Sequence, residues 1–364
     1  MIADGDLLNV LLLSITILIF ITALPLLKIE KLKDFPKENL LFGTIALLLV
    51  TVLLIGLRNP YASWRFFGDS YTYNLYFHKI KENSSWIADK DFGFFYYTKI
   101  ISQFVNVQMY FLINAFLYVF LVYFGFKKWF KEYTYFALAL FIASFTFWGF
   151  GINTIRSGLS GSIFIFALSY YNKKWIHISL IALAISIHLS ILLPALVFLG
   201  VHFIKSSKLI VKLWLISIPI CFFVGKKVKV FIDTILTSTL GAIDNRANYE
   251  GLDTSTFYEA SFFRFDFIIY SGVMVFYGYY FIYKLDYKNK FYSIMYKTYV
   301  ATNMVWMYFI YVQYTDRIAY LSWIFIPFLL IHPIIYSKKN INQSKFIGGA
   351  LCISIGLCWL IGYL

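Results

Sequence analysis

Long apolar runs alternate with short polar segments along the whole chain. A helix needs about 20 mostly apolar residues to cross a bilayer, within a range near 17–25. The runs recur from end to end, so they predict an all-α polytopic membrane protein with a single transmembrane domain over residues 1–364. We predict about 12 spans: 7–27, 40–57, 107–126, 132–150, 156–171, 175–188, 189–204, 209–224, 262–283, 292–312, 318–336 and 346–364.

The stretch 175–204 leaves two interpretations open, namely two short crossings or one crossing followed by a re-entrant segment. His188 falls at its middle, and Pro194 follows soon after. Two crossings place lysine in every second loop, as expected of cytoplasmic loops, and both termini then lie outside. The lysines concerned are Lys28, Lys31, Lys33, Lys37, Lys127, Lys128, Lys131, Lys173, Lys174, Lys205, Lys208, Lys212, Lys284, Lys288, Lys290, Lys338, Lys339 and Lys345.

Two loops on the opposite side are long, at about 58–106 and about 225–261, and both are predicted to be external. The second contains the polar run Gly241–Gly251, which is typical of an ordered loop. The first is rich in aromatic residues, and its helical spacing predicts a helix along the membrane surface near 92–104. The apolar positions of that helix are Phe92, Phe95, Tyr96, Ile100 and Phe104.

Composition supports a membrane protein and argues against other classes. Hydrophobic residues make up 60% of the chain and charged residues 14%, whereas a soluble domain carries about 25% charged residues. Lysine in short cytoplasmic loops accounts for most of the net charge of +14, so no nucleic-acid partner is predicted. Cys221, Cys352 and Cys358 lie in apolar runs without a metal-ligand spacing.

The arginines are distributed differently from the lysines, because all are predicted on the external side or at outer helix ends. This is the reverse of the positive-inside rule. A guanidinium group can grip phosphate through two parallel hydrogen bonds, so the arrangement predicts an anionic, phosphate-bearing ligand at the outer leaflet. The residues are Arg58, Arg65, Arg156, Arg246, Arg264 and Arg317.

Alternatives without a ligand exist for several of these positions. Arg58 ends a helix, where a snorkelling contact with lipid headgroups would explain it. Arg65 is explained as a surface charge, and Arg264 as an ion pair with Asp266. Arg156 is predicted at the start of a helix, where the N-terminus already attracts anions. Arg317 lies in a very short outer turn, where a charge near the membrane favours function.

Two residues are candidate general bases, and each has a structural alternative. Asp69 lies among aromatic residues on the external side and would serve either as a base or as a helix N-cap. His188 lies in an apolar stretch and would be either a satisfied core residue or an acid–base group. No Gly-rich phosphate loop or zinc-protease motif is present, and we expect arginine rather than a metal to neutralise a leaving diphosphate.

Three segments resemble the EpsG-like branch of the Wzy-type polysaccharide polymerases. The first is Arg58 followed by Gly68–Tyr73, and the second runs from Asn153–Ser160 to Leu183–Ser190. The third is Asp316–Tyr320. The resemblance implies a fold similar to the GT-C-like membrane glycosyltransferases. It also implies an O-antigen or capsular polysaccharide polymerase in the bacterial inner membrane, with its active site facing the exterior.

The resemblance also implies partners and a mechanism. The donor and the acceptor would be undecaprenyl-diphosphate-linked oligosaccharides, with membrane lipid around the protein, no cofactor, and a chain-length regulator as a further candidate partner. We expect His188 or Asp69 to act as the base. The remaining candidates bind the diphosphate (Arg156, Arg317, Arg264, Arg58 and Arg246) or the glycan (Tyr71, Tyr73, Tyr249 and Asp316).

Three other functions stay open at this point. A lipid-linked oligosaccharide flippase is disfavoured because the arginines cluster on one predicted face rather than in a central cavity. An O-antigen ligase would use the same donor but pass the chain to lipid A. A membrane scaffold without enzymatic activity is the remaining alternative.

Overall fold

The computed structural model describes residues 4–61, 68–83, 85–88, 90–240, 262–312, 314–338 and 341–360. All regular structure in these ranges is helical, which confirms the predicted all-α class. The described part divides into two compact units, residues 1–192 with 330–364 and residues 193–329. The single transmembrane domain over 1–364 stays a prediction. Arg65, Arg246 and Tyr249 lie outside the described residues.

The helices of the first unit follow the chain closely. They are α1 Asp4–Lys28, α2 Lys37–Gly56, α3 Ser70–Glu82, α4 Phe92–Ser102, α5 Val107–Phe130, α6 Thr134–Ile142, α7 Phe145–Trp148, α8 Ile155–Leu168 and α9 Lys174–Ile187, with α16 Gln343–Leu360 at the end of the chain. Short helical turns occupy Leu32–Asp34, Lys131–Tyr133 and Leu189–Ile191, and a π-helical turn occupies Gly149–Asn153.

Six further helices among the described residues lie in the second unit in whole or in part, and α10 and α15 contribute residues to both units. They are α10 Leu192–Gly200, α11 Ser207–Leu240, α12 Phe265–Tyr283, α13 Lys290–Met307, α14 Thr315–Trp323 and α15 Ile326–Tyr336.

Five stretches of the described chain are long and apolar enough to cross a membrane, and shorter apolar helices accompany them. The protein is therefore a multi-pass membrane protein. The five stretches are Lys37–Gly56, Val107–Ile142, Ser207–Phe231, Phe265–Tyr283 and Thr315–Tyr336.

One of these stretches, Val107–Ile142, contains two helices, α5 and α6, where the spans 107–126 and 132–150 were predicted. The second predicted span is not continuous, because α6 ends at Ile142 after nine residues and α7 is a separate short helix. Lys131 has a positive φ of 52° and breaks the helix after Phe130. Phe141 of α6 then packs against Tyr118 and Phe126 of α5, so the chain reverses direction at Lys131.

The stretch 175–204 is also broken into two helices, and the break falls at His188. Helix α9 ends at Ile187, and α10 begins at Leu192. Helix α9 has 14 residues, so it is about 21 Å long and shorter than the hydrocarbon core of a bilayer. His188 is therefore held at a helix end rather than in the middle of a span.

The core of the first unit is built around α6 and α8. Every residue of α6 is buried, as expected for a helix that is apolar on all sides. Helix α8 carries small residues at Ser157, Gly158 and Gly161, and it packs closely against both α5 and α9. A side chain at Gly158 would meet the Phe150 carbonyl oxygen at 2.5 Å, so this contact requires glycine.

The second unit is held by a buried polar network around Asn303 of α13. Its amide nitrogen donates to the Ser271 and Ser322 hydroxyls at 2.8 and 3.0 Å, and its amide oxygen accepts from Trp214 Nε1 at 2.8 Å. Lys297, also on α13, is buried and donates to the carbonyls of Val201 and Ile204. Such paired polar groups tie apolar helices together.

The helix predicted near 92–104 is present as α4, and its place along the membrane surface stays a prediction. Phe92, Tyr96 and Ile100 form an exposed apolar face, with Phe104 just beyond the helix. Phe95, also predicted on that face, is instead buried in a small core cluster with Ile80 and Ala88. The two faces of α4 are thus both apolar, one turned to the protein and one available to lipid.

Candidate functional site

Three helix ends of the first unit bring together a carboxylate, a guanidinium and an imidazole. Asp91 precedes α4, Arg156 lies in the first turn of α8, and His188 follows the last residue of α9. Arg156 Nη1 donates to Asp91 Oδ2 at 2.9 Å. His188 Nε2 lies 3.9 Å from the same oxygen. Only 4% of the Asp91 side chain is exposed, so the cluster is shielded from solvent at its centre.

The other carboxylate oxygen of Asp91 connects the cluster to the backbone. The Leu189 N–H donates to Asp91 Oδ1 at 3.3 Å. Asp91 itself has φ 54° and ψ 47°, a left-handed conformation that is uncommon for residues other than glycine. The side chain makes no capping hydrogen bond to α4. The Asp91 side chain is thus directed at α8 and the end of α9 and does not cap α4. A strained backbone conformation of this kind is common at functional sites.

Two close contacts fix the helices that carry these residues. A Cβ atom at Gly93 would lie 2.7 Å from the Ser186 carbonyl carbon, so the start of α4 touches the backbone of α9. The Ser160 hydroxyl of α8 donates to the Ala184 carbonyl at 2.6 Å, near the end of α9. The geometry of the cluster therefore depends on backbone packing rather than on flexible side chains.

The hydrogen bonds of His188 define its tautomer in the neutral state. The Ser190 N–H donates to Nδ1 at 3.2 Å, so Nδ1 is unprotonated and the proton is carried by Nε2. This places the Nε2–H on the side of Asp91. The Ser190 hydroxyl lies 2.7 Å from Nδ1, which shows that an alcohol oxygen fits against this nitrogen.

Arg156 has one edge paired with Asp91 and one nitrogen without a partner. Its Nε is buried and makes no hydrogen bond. Its backbone N–H, which has no partner within α8, donates to the Tyr73 hydroxyl at 3.3 Å. The Tyr76 hydroxyl, on the same helix α3, is also buried without a partner. Unsatisfied buried polar groups are rare and indicate a place for a ligand or water.

Aromatic rings surround this polar group. Tyr76 lies edge-on to Trp86 at 5.7 Å and close to Phe94 at 5.9 Å. Burial raises the pKa of Tyr76 to about 12, although the nearby Arg156 acts in the opposite direction. Tyr76 therefore remains a protonated hydrogen-bond donor at neutral pH, within a group of aromatic rings.

The two tyrosines predicted to contact glycan differ in environment. Tyr71 is exposed on α3, whereas Tyr73 is buried against α8 through its contact with Arg156. Asp69 occupies the N-cap position of α3 but makes no side-chain capping bond. Its backbone N–H donates to Asn153 Oδ1 at 3.0 Å. The structure brings Asp69 next to the segment that leads into α8, and its role as a base stays a prediction.

Arg58 is buried and is held by protein groups. It is 1% exposed, so it does not snorkel towards headgroups. Its Nε donates to the Ser70 hydroxyl, and its Nη1 donates to the carbonyls of Ile55 and Gly151. Burial lowers the pKa of Arg58 to about 9, so it stays charged at neutral pH. These contacts favour a structural role, and diphosphate binding by Arg58 remains untested.

The other predicted residues that can be placed lie in the second unit. Arg264 forms a two-pronged ion pair with Asp266, at 2.9 and 2.7 Å, and lies over the ring of Phe267. This favours the ion-pair alternative for Arg264. Arg317 lies in the first turn of α14, with its guanidinium 4.4 Å from the Tyr314 ring, and Asp316 precedes it.

Asp91 was not singled out from the sequence. It is an acidic residue directly before an amphipathic helix that has glycine at its second position, and this pattern is typical of an ordinary N-cap. The usable signal is the combination of Asp91 with Gly93, because glycine early in a helix allows close approach to a neighbour. Tyr76 was missed because Tyr71 and Tyr73 are tyrosines in the same segment, and the sequence does not distinguish the three.

These features define the class of the protein: a polytopic membrane protein with a buried carboxylate–guanidinium–imidazole site at its helix ends. The sequence profile of the EpsG family matches residues 41–363, and the chain belongs to that family. This relates it to membrane-bound polymerases of polysaccharide and confirms the predicted resemblance. No curated protein and no solved structure matches the chain.

Proposed function

We propose that the protein is a polysaccharide polymerase that joins undecaprenyl-diphosphate-linked repeat units at the outer face of the bacterial inner membrane. The observation that carries this proposal is the Asp91–Arg156–His188 cluster, in which one buried carboxylate holds a cation and a base side by side. Glycosyl transfer from a lipid diphosphate needs both groups, because negative charge leaves while an alcohol must lose a proton.

In this reaction, a hydroxyl oxygen of the acceptor unit attacks the anomeric carbon of the donor. The new glycosidic C–O bond forms as the bond from that carbon to the diphosphate oxygen breaks. Undecaprenyl diphosphate leaves with the bonding electrons, and the hydroxyl proton passes to a base on the protein. Atoms and charges balance without an oxidant or a further substrate.

Arg156 is the residue that we assign to the leaving diphosphate. Its Nε is a buried donor without a partner, and its pairing with Asp91 fixes the guanidinium plane. The α8 N-terminus beside it adds a favourable dipole for an anion. The Tyr76 hydroxyl offers a second donor on the same side. Donors of this kind are each worth about 10²–10³ in rate when they meet charge that develops in the transition state.

His188 is the residue that we assign as base, with Asp91 as the residue that positions it. Nδ1 is the unprotonated nitrogen, and an acceptor alcohol would reach it by displacing the contacts that Ser190 makes with it. When Nδ1 takes the proton, the ring becomes positive, and the Asp91 carboxylate stabilises that charge from the Nε2 side. Such a base contributes about 10²–10⁴ in rate.

The test is reconstitution of the purified protein with a defined undecaprenyl-diphosphate-linked repeat unit, with products separated by gel. We expect Arg156→Ala and His188→Ala to lose about 10²-fold or more in kcat while the protein inserts and accumulates normally. Lys288→Ala removes an exposed lysine paired with Asp286 and serves as the matched control. Normal polymer from Arg156→Ala would refute the diphosphate assignment.

The same assay separates polymerase from ligase and flippase. A polymerase extends the lipid-linked unit in a ladder when the unit is both donor and acceptor. A ligase needs added lipid A core and gives no ladder on lipid-linked units alone. A flippase moves the unit across vesicle membranes without forming any glycosidic bond. Absence of the ladder with active flipping or ligation would overturn the proposed function.

A further inference from the structure

The C-terminal end of α5 borders an open groove between α2 and α5. Helix α5 has 24 residues, so this end lies about 36 Å along the helix from Val107, which is the end nearer the Arg58 contacts. The groove has a volume of about 530 Å³ and is open to its surroundings. Its walls include Leu41 of α2, Tyr123 and Lys127 of α5, and Lys131 at the turn that follows. This groove is separate from the Asp91 cluster.

The rim of the groove is positively charged. Lys37, Lys127 and Lys131 line it, and Glu132 is the single acidic residue among the described residues that do so. Glu132 is paired with Lys37 at 2.7 Å. Lys127 and Lys131 therefore leave an excess positive charge, which suits a phosphate group.

Helix-end electrostatics alone does not explain this arrangement. Lysine in the last turn of a helix is favourable in general. Lys128, in that turn, has a partner of its own, because its ammonium group lies over the Tyr170 ring at 3.7 Å. Lys127 instead faces the Tyr123 ring at 5.5 Å and lines the groove. Lys131 lies beyond the helix with a positive φ of 52°, and its backbone N–H donates to the Lys127 carbonyl. The two groove lysines are thus held next to each other by the backbone.

The wall below this rim is apolar and open. Leu41 is 62% exposed, and Leu40 lies buried behind it at the start of α2. A soluble anion would gain no binding free energy from this apolar wall. A hydrocarbon chain would bury the wall's apolar surface, which is favourable. Charge at the rim and apolar surface below match the shape of a lipid with an anionic headgroup.

We propose that this groove binds an anionic phospholipid, with its phosphate between Lys127 and Lys131 and an acyl chain along Leu41. The site is independent of the polymerase chemistry. By the predicted topology these lysines are cytoplasmic, and that leaflet is rich in anionic lipid. The bound lipid would then hold the α5–α6 turn, from which the buried helix α6 begins.

The test is native mass spectrometry of the purified full chain in detergent, titrated with phosphatidylglycerol, phosphatidylcholine or glycerol 1-phosphate. The variant is Lys127→Gln/Lys131→Gln. The control is Lys173→Gln/Lys174→Gln, which removes the same charge from another predicted cytoplasmic turn and does not touch this groove. We expect the groove variant to bind phosphatidylglycerol about 10- to 30-fold more weakly, the effect of two screened charge contacts.

Under this proposal the control variant binds phosphatidylglycerol within about twofold of the wild type, since its lysines do not line the groove. Phosphatidylcholine binds more weakly than phosphatidylglycerol, and glycerol 1-phosphate binds weakly because it lacks the acyl chain. Equal losses in both double variants would show a general surface-charge effect and overturn the site. Equally tight binding of glycerol 1-phosphate would show a site for soluble anions and overturn the lipid assignment.

Discussion

The contact between Gly93 and Ser186 offers a sharp test of the site, because a single methyl group disturbs it. In Gly93→Ala, the new Cβ would lie 2.7 Å from the Ser186 carbonyl carbon and 2.8 Å from its carbonyl oxygen. These are backbone atoms of α9, so no side-chain rotation relieves the clash. The start of α4 must therefore move away from the end of α9.

The size of that movement follows from the distances. Ordinary van der Waals contact begins near 3.4 Å, so the gap must open by about 0.7 Å. The Leu189 N–H then lies roughly 4 Å from Asp91 Oδ1 instead of 3.3 Å, which is too long for a hydrogen bond. His188 moves away from Asp91 with it. Misplacement of about 1 Å in catalytic geometry can cost about 10²-fold in rate.

Stability should change far less than activity. Overpacking costs about 1–3 kcal/mol, whereas alanine gains about 1 kcal/mol over glycine inside a helix. The net loss in the free energy of unfolding is therefore about 0–2 kcal/mol. The assay measures kcat and KM for polymer formation together with thermal unfolding in detergent. Gly349→Ala on α16 is the matched control, because a Cβ there meets no atom within 4 Å.

The expected result is a loss of about 10- to 100-fold in kcat for Gly93→Ala, with the protein still folded and inserted. Gly349→Ala should retain wild-type activity. Wild-type kcat in Gly93→Ala would refute the reasoning, because the Asp91 contacts would then be irrelevant to the chemistry. A loss of activity that only follows a loss of folded protein would refute it as well.

Two further predictions concern buried cations. Arg58→Lys keeps the charge but loses the planar guanidinium that reaches Ser70, Ile55 and Gly151. Thermal unfolding in detergent should show a loss of about 2 kcal/mol in the free energy of unfolding. An unchanged Tm would contradict the structural role. Lys297→Met removes the donors to the Val201 and Ile204 carbonyls. It should lower the free energy of unfolding by about 2–3 kcal/mol in the same measurement. A gain in stability would contradict this prediction and show that the desolvation cost of the ammonium group dominates.

The sequence predicted the helices well where the signal is local. Apolar runs are read from neighbouring residues, so the start of a helix near Arg156 and a break at His188 could both be predicted. The surface helix was predicted by the same argument, but Phe95 was placed on the wrong face. The burial of Phe95 depends on Ile80 and Ala88, which lie outside the helix.

The separation of lysine from arginine is less complete than the topology argument required. The segment between α2 and α5 carries Lys79, Lys81 and Lys99, although it was predicted to be external. In the structure these ammonium groups lie over aromatic rings, with Lys79 4.2 Å from the Trp86 ring. A lysine paired with a ring is a poor marker of sidedness, because packing rather than the membrane determines its position.

The site itself could be predicted only in part, because its central residue acts over long sequence distances. Arg156 and Asp91 are 65 residues apart, and Leu189 and Asp91 are 98 residues apart. Neither contact leaves a local pattern. The arginines and the histidine were identified by residue type and predicted position, whereas the carboxylate that joins them requires the packing of α4 on α9.

The π-helical turn Gly149–Asn153 explains why the Arg58 guanidinium is bonded to backbone carbonyls, whereas Arg156 lies at the start of the next helix. A π turn adds a residue to a helix and frees a carbonyl, and here Thr154 N–H bonds back to Gly149 while the Gly151 carbonyl turns to Arg58. A buried guanidinium is costly unless its donors are paired, and this carbonyl is one of its partners. Arg58 thereby fixes the segment directly before α8. Arg156, the second residue of α8, directly follows this fixed segment, and its Nε is buried without a hydrogen-bond partner.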